Sequence, residues 1–337
     1  LDSIDKVLAG AYLSAPSESI KGEIVVKKLA FLFPGQGSQS IGMGQDMHQE
    51  FDFVKEIFEM AEEISKTHIR QLCFKGPMSE LTTTINLQPC ITAVNLAFLA
   101  AIKKEGLAPL LCAGHSLGEY SALSAAEILS YEHTLRCVFE RGGLMHRESS
   151  QYEGAMHALI GLPIEKIKDI VTKMQPQGIV SVANHNMETQ IVITGDPEIV
   201  QLTSQKAVEQ GARAVALKVS GAWHSELIRG AEDDFKAFLD TMDFQAPEYQ
   251  VVFNVTADTC QDPEEIKKIM LQQLCSPVRW YESMQKLVQS EIEYFVEIGP
   301  GKVLKGLLRK ILPKDYPAKI YNVNSIKMFE RFLNDIA

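Results

Sequence analysis

The chain has 337 residues, 46% hydrophobic and 23% charged, with 33 basic against 43 acidic side chains. It is too apolar for a disordered chain, and 22 Gly with 14 Pro is too few for collagen or low complexity. A formal net charge of −10 argues against a general nucleic-acid binder, and no run approaches the ~18 uninterrupted apolar residues of a membrane helix.

The chain opens Leu1-Asp2-Ser3, with no starting Met or signal-peptide core, so it reads as trimmed, processed or cut from something longer. Residues 1–27 carry a short amphipathic stretch (Ile4, Val7, Leu8) and then Ser14-Ala-Pro-Ser-Glu-Ser, the pattern of an N-terminal linker or extension. The main fold is expected to begin at the apolar run Leu29–Phe33, followed by a Gly-rich turn and a helix. A second apolar run, Ala108–Ala113, leads into Gly114-His115-Ser116-Leu117-Gly118 and a small-residue helix through Ala126. The next helix starts at Ser130, a suitable N-cap, and runs to about Ser149. Strands alternating with helices predict a mostly parallel sheet covered on both faces.

Between about 154 and 218 the pattern changes. The spacing predicts strand Gly154–Ile160, helix Pro163–Lys173, strands Ile179–Ala183 and Gln190–Thr194, helix Pro197–Gln210 and strand Ala212–Val219. That order is the split βαβ of ferredoxin-like domains, inserted as a subdomain at 154–218 into a core made of 28–153 and 219–337. Beyond it we expect a helix from about His224, a strand at Tyr249–Asn254 and a helix over Pro263–Leu274. A final strand, Tyr294–Ile298, then enters Gly299-Pro-Gly and a basic helix.

The string Gly114-His115-Ser116-Leu117-Gly118 is a G-x-S-x-G between a strand and a helix, the setting of a nucleophile elbow. Ser116 would sit at a helix N-terminus, where free N–H groups favour a developing oxyanion. Serine needs a base, and eight histidines are available. His48, His68, His133 and His146 lie in helical stretches, His157 in a strand, His185 in a turn of the subdomain, and His115 inside the elbow. Position favours His224, on a loop after a strand. Gly35-Gln-Gly-Ser-Gln lacks the third glycine of a dinucleotide fingerprint, and Gly299-Pro-Gly-Lys lacks phosphate-loop spacing. The six cysteines are scattered, with no CxxC, and read as reduced thiols of a cytoplasmic protein without a metal site.

Three segments, Phe33-Pro34-Gly35-Gln36-Gly37-Ser38-Gln39, Gly114–Tyr120 and Gly221-Ala222-Trp223-His224-Ser225, resemble the malonyl-CoA:acyl carrier protein transacylase family. Glu297-Ile298-Gly299-Pro300-Gly301-Lys302-Val303-Leu304 matches as well, and the similarity runs from about Lys28 to Leu312. The resemblance implies an α/β-hydrolase-like core with a ferredoxin-like insertion, and a ping-pong transfer of malonyl from CoA to the phosphopantetheine thiol of a holo acyl carrier protein. It makes Ser116 the acylated residue and His224 its base, with the backbone N–H groups of Gln36 and Leu117 as the oxyanion hole. The histidine is oriented by a main-chain carbonyl, here that of Gln273, in place of an acid. Gln88 would line the site.

By the same resemblance Arg141, in Glu140-Arg141-Gly142-Gly143, binds the free carboxylate of malonate, for which a guanidinium fork is suited. Gly142 and Gly143 inside a predicted helix point to a close backbone approach. Trp223 stands where malonyl-using relatives commonly carry phenylalanine; it either narrows the pocket beside the α-carbon or is a packed aromatic with its N–H satisfied. The segment Gly299–Lys319 carries Lys302, Lys305, Arg309, Lys310, Lys314 and Lys319 against Asp315, either a docking patch for an acidic carrier or a solvated helix face. No cofactor is implied, no nucleic-acid or membrane partner is expected, and nothing demands more than a monomer. Two rivals stay open: a serine acyl hydrolase of editing type, and a non-catalytic docking module of a polyketide synthase.

Overall fold

The computed structural model describes residues 27–336. The expectation of a linker over 1–27 therefore lies, but for Lys27, outside the described residues.

Two sheets organise the chain. The first is parallel throughout, built from β1 (Leu29–Phe33), β2 (Leu111–Gly114), β7 (Gln250–Val252), β8 (Tyr294–Ile298) and β9 (Lys319–Val323), in the order β7-β2-β1-β8-β9. All five residues of β1 are buried, the continuous apolar pattern required of a parallel strand covered on both faces. Helices supply the cover. The helix Thr84–Lys104 is long and apolar enough to cross a bilayer, yet it is buried continuously from Leu87 to Ile102 and belongs to the core.

The second sheet is antiparallel: β3 (Ala155–Ile160), β4 (Val180–Met187), β5 (Gln190–Gly195) and β6 (Arg213–Ala216), in the order β4-β5-β3-β6. Chain order β-α-β-β-α-β with this strand order is the ferredoxin-like arrangement. Helices Ile164–Met174 and Pro197–Glu209 bury Ile167, Ile170, Val171, Ile199 and Val200 against Leu159, Ile191 and Ile193 in a small core of their own. This sheet is tied to the rest of the fold by backbone: His185 N–H donates to Val278 O (2.9 Å) and Val278 N–H to Ala183 O (2.8 Å).

Several boundaries differ from the sequence reading. His185 lies within β4, not in a turn; register shifts at Val182/Asn184 and His185/Met187 give that strand its irregular pattern. No α-helix starts at His224. A turn at 221–225 is followed by the 3-10 helix Glu226–Ala231, and α-helix begins only at Glu232, because Ser225 folds back to donate to Ala222 O (2.7 Å) and accept from Leu227 N–H (3.2 Å). Strand β9 and helix Ile326–Ile336 follow the basic helix Val303–Ile311. The signal of β9 is weak because it is a short edge strand, exposed or half-exposed at Lys319 and Ile320, whereas the helix carries a clear apolar stripe at Phe329, Phe332 and Ile336 that the sequence reading passed over.

Pairing in register places Phe33 beside Gly114. The turns leaving β1 and β2, Pro34-Gly35-Gln36 and His115-Ser116-Leu117, therefore emerge together at the carboxyl ends of the central parallel strands. That is the rim where open α/β sheets build ligand sites.

Candidate active site

The turn after β2 is sharp enough that side chains cannot flank it. A Cβ on Gly118 would stand 2.0 Å from Phe33 O, and one on Gly114 would stand 2.0 Å from the Gly118 carbonyl carbon. Ser116 sits between them with φ 49°, a strained conformation for a side-chain-bearing residue, which lifts its hydroxyl into the cleft. Asn254 holds the strained turn from below. Its Oδ1 accepts from Ser116 N–H (2.7 Å) and its Nδ2 donates to Gly114 O (2.7 Å).

His224 reaches the same hydroxyl from the turn after the subdomain, itself held at φ 60°. Ser116 Oγ stands 2.8 Å from His224 Nε2, and His224 Nδ1 stands 2.9 Å from Gln273 O. A carbonyl only accepts, so Nδ1 carries the proton and Nε2 presents its lone pair to the serine. Burial, then the nearby Arg141 charge, push the His224 pKa down to about 3, so the ring is neutral.

Arg141, on the helix Tyr131–Gln151, is 1% exposed. Ser130 caps that helix by accepting from His133 N–H. The guanidinium donates to Gln88 Oε1 (2.9 Å), Ser116 Oγ (3.1 Å) and Gln273 Oε1 (3.2 Å), while Nε has no partner among the described residues. None of these acceptors is a carboxylate. A buried cation whose partners are all neutral is a site waiting for an anion. Gly142 fits a close approach, since a Cβ there would meet Thr84 O at 3.3 Å. Gly143 does not: a Cβ there would meet nothing within 4 Å, because this position faces away from the helix Thr84–Lys104.

These side chains surround a cleft of about 220 Å³ between the two sheets. Gln36, Gln88, Ser116, Leu117, Arg141, Trp223 and His224 all line it, and Gln273 backs it through His224 and Arg141. Among the described residues neither the Gln36 nor the Leu117 amide donates a hydrogen bond within the fold. Trp223 is 5% exposed, which fits a packed ring, and among the described residues its indole N–H has no partner. Leu304 and Leu307 of the helix Val303–Ile311 close one wall. Glu297 caps that helix, accepting from Leu304 and Lys305 N–H at 2.9 Å each, which gives the Glu297–Leu304 motif a structural reason.

The sequence reading missed several parts of the site. Glu119, directly after the elbow, is fully buried, accepting from Asn254 N–H (2.6 Å) and Gln273 Nε2 (2.5 Å). Burial raises its pKa to about 7, against the pull of those two donors and Arg141. The side chain of Gln273, as well as its carbonyl, belongs to the site. His115 Nε2 pairs with Asn186 Oδ1 (2.8 Å), joining the elbow to β4. The available signal for Asn254 was a polar residue directly after the buried run Val251–Phe253. Among the described residues no cluster of three or more His, Cys, Asp or Glu is placed to hold a metal ion.

A family model described as an acyl transferase domain matches residues 30–325. A malonyl CoA-acyl carrier protein transacylase of Bacillus subtilis (strain 168) is 43% identical over 288 residues, 85% of this chain and 91% of that protein. An acyl carrier protein S-malonyltransferase crystal structure from Vibrio cholerae superposes with TM-score 0.86 at 35% identity, covering 91% of this chain and all of that one. A structure of a type II polyketide synthase acyl carrier protein in complex with its malonyl-transacylase matches with TM-score 0.87 at 34% identity, covering 92% of this chain and all of that one.

Proposed function

Since the chain belongs to the acyl transferase family, we propose that it moves a malonyl group from coenzyme A to the phosphopantetheine thiol of an acyl carrier protein through an ester on Ser116. It is an acyltransferase of fatty acid or polyketide synthesis, with malonyl-CoA and acyl carrier protein as its substrates. The observation that carries the chemistry is the line Arg141–Ser116–His224–Gln273, a buried cation and a neutral base meeting on one hydroxyl.

Malonyl-CoA enters with its free carboxylate on the Arg141 guanidinium, replacing neutral acceptors with an anion. Ser116 Oγ attacks the thioester carbonyl carbon as His224 Nε2 takes the hydroxyl proton. The resulting imidazolium is held by the Gln273 carbonyl on Nδ1–H. The tetrahedral oxyanion is received by the free amides of Gln36 and Leu117. When the C–S bond breaks, the proton on Nε2 goes to the CoA sulfur, leaving malonyl on Ser116 and a neutral histidine. The carrier's thiol then repeats the sequence in reverse: its proton goes to Nε2, its sulfur attacks the ester, and Ser116 leaves with that proton. The reaction as written needs no cofactor beyond the substrates. Six unpaired cysteines support a reducing, cytoplasmic setting.

The test is an intact-mass spectrum after brief mixing with malonyl-CoA, followed by holo carrier protein. A malonyl adduct that is absent in Ser116→Ala and moves to the carrier is the expected result. Free malonate with no malonyl on the carrier would identify a hydrolase instead.

A further inference from the structure

Glu119 is a carboxylate with no exposed surface, and the reaction above gives it no proton to move. Its two oxygens divide between two donors: Oε1 takes the main-chain N–H of Asn254, and Oε2 takes the side-chain amide of Gln273. Gln273 Nε2 spends its other hydrogen on the main-chain carbonyl of Ser116 (2.9 Å). With Glu119 ionised, both groups facing Nε2 can only accept, so the amide can sit only one way round. Its oxygen is thereby left for Arg141 Nη2, the same nitrogen that touches Ser116 Oγ. Turning the amide over would set two acceptors against Oε1 and aim an NH₂ at a guanidinium.

We propose that Glu119 is a positioning residue: its carboxylate fixes the orientation of the Gln273 amide, and the amide oxygen fixes where the Arg141 guanidinium stands over Ser116. This rests on Arg141 being the group that takes the substrate carboxylate. Only a group that accepts on both oxygens can do the job. In Glu119→Gln the Asn254 N–H, held by the backbone, keeps the new amide oxygen, so the new NH₂ faces Gln273. Gln273 must then turn its oxygen inward, which removes the donor from Ser116 O and presents N–H groups to Arg141. The main-chain carbonyl on His224 Nδ1 is untouched by that turn. The damage therefore falls on recognition of the carboxylate more than on proton transfer.

The experiment measures initial rates of Ser116 loading with malonyl-CoA and with acetyl-CoA in the full chain, for wild type, Glu119→Gln, Gln273→Met, the double variant and Arg141→Ala. Glu119→Gln is expected to lower the malonyl-to-acetyl ratio about tenfold or more, chiefly through a raised KM for malonyl-CoA. Gln273→Met, which keeps the carbonyl and removes the amide, should lower the ratio similarly, and the double variant should show no further loss. Equal losses for both acyl groups in Glu119→Gln, or effects that multiply in the double variant, would overturn the proposal. Gln273→Met gives a reading even if Glu119→Gln does not fold; an unchanged ratio there also overturns it. An unchanged ratio in Arg141→Ala would show instead that the carboxylate-binding reading had failed, and the proposal with it.

Discussion

The main-chain carbonyl of Gln273 stands 2.9 Å from His224 Nδ1, the place an aspartate carboxylate takes in a Ser-His-Asp triad. The exchange of an anion for a neutral dipole has an electrostatic consequence. A carboxylate beside the ring would favour the imidazolium and hold its pKa up. Here burial and the Arg141 charge press the other way, with only hydrogen bonds from the Gln273 and Ser276 backbone opposing them.

The first prediction concerns pH. With the His224 pKa at about 3, the base stays neutral far below 6.5. Loading by acetyl-CoA, which makes no carboxylate contact with Arg141, should stay flat from pH 8 to below pH 5 in single-turnover measurements. Arg141→Ala should raise the acid limb, because it deletes a cation that opposes protonation. Glu119 is shifted the opposite way, to about 7, so a limb near neutral pH that appears with malonyl alone belongs to Glu119. Stability follows the same signs. His224 is neutral in the fold and takes a proton near 6.5 when unfolded, so its contribution is complete above pH 6.5 and is lost as pH falls toward 3. The thermal midpoint of wild type should therefore fall relative to His224→Gln across that window.

Removing the guanidinium should separate the two acyl groups. Arg141→Ala should cost malonyl transfer about 2–5 kcal/mol in kcat/KM, the range seen when one partner of a buried charge pair is truncated. Acetyl transfer should lose far less. Arg141→Lys keeps the charge and loses the fork, so it should recover only part of the malonyl rate. Equal losses for both acyl groups would count against the carboxylate role.

The elbow glycines can be tested by adding one methyl group. Gly118→Ala would bring a Cβ to 2.0 Å from Phe33 O, a main-chain atom at the carboxyl end of the central strand β1 that is held by the His115 N–H and cannot swing aside. Overpacking a core typically costs about 1–3 kcal/mol, and a backbone clash at this distance should exceed that range. A large drop in thermal midpoint or loss of soluble protein is expected. Gly143→Ala, facing open space on a helix, should be neutral or slightly stabilising.

What was legible in the sequence, and what was not, divides along a physical line. The parallel core and the subdomain elements show as apolar periodicity, because burial of strand and helix faces is a local pattern. Ser116 shows because its turn demands glycines on both sides. His224 was favoured by position alone, and the family resemblance, not spacing, gave Arg141, Gln88, Gln36, Leu117 and the Gln273 carbonyl their roles. Glu119 and Asn254 stayed hidden because their function is to satisfy partners 135 and 138 residues away, and no local pattern records such a partner. Strand β9 was missed because it is five residues at the sheet edge, and Lys319-Ile320-Tyr321-Asn322-Val323 shows neither strict alternation nor a continuous apolar run.

Trp223 gives a specificity prediction. The ring lines the cleft, and a Cβ on Gly221 would fall 2.8 Å from its Cη2, so the indole lies tightly over that turn. Among the described residues no hydrogen bond holds the ring, so its contribution to the wall is its bulk. Trp223→Ala should raise the methylmalonyl-to-malonyl transfer ratio several-fold in a competition assay read by mass. An unchanged ratio would leave the ring as packing only.

The basic helix Val303–Ile311 lines the cleft on one side and carries cations on the other. Leu304 and Leu307 face the cleft, whereas Arg309 and Lys310 are exposed on the outer side of the same helix. On a chain of net charge −10, this is a local reversal of sign beside the mouth through which the carrier's arm must enter. Charges placed this way act mainly on encounter rates and are screened within about 10 Å at 0.1 M salt. The double charge reversal Arg309→Glu with Lys310→Glu should therefore raise the KM for an acidic carrier protein several-fold at low salt, and the difference from wild type should shrink as salt rises. Loading of Ser116 from malonyl-CoA should be nearly unchanged, since neither side chain lines the cleft. A loss equal in both half-reactions, or one indifferent to salt, would mean that these residues serve the helix rather than the carrier.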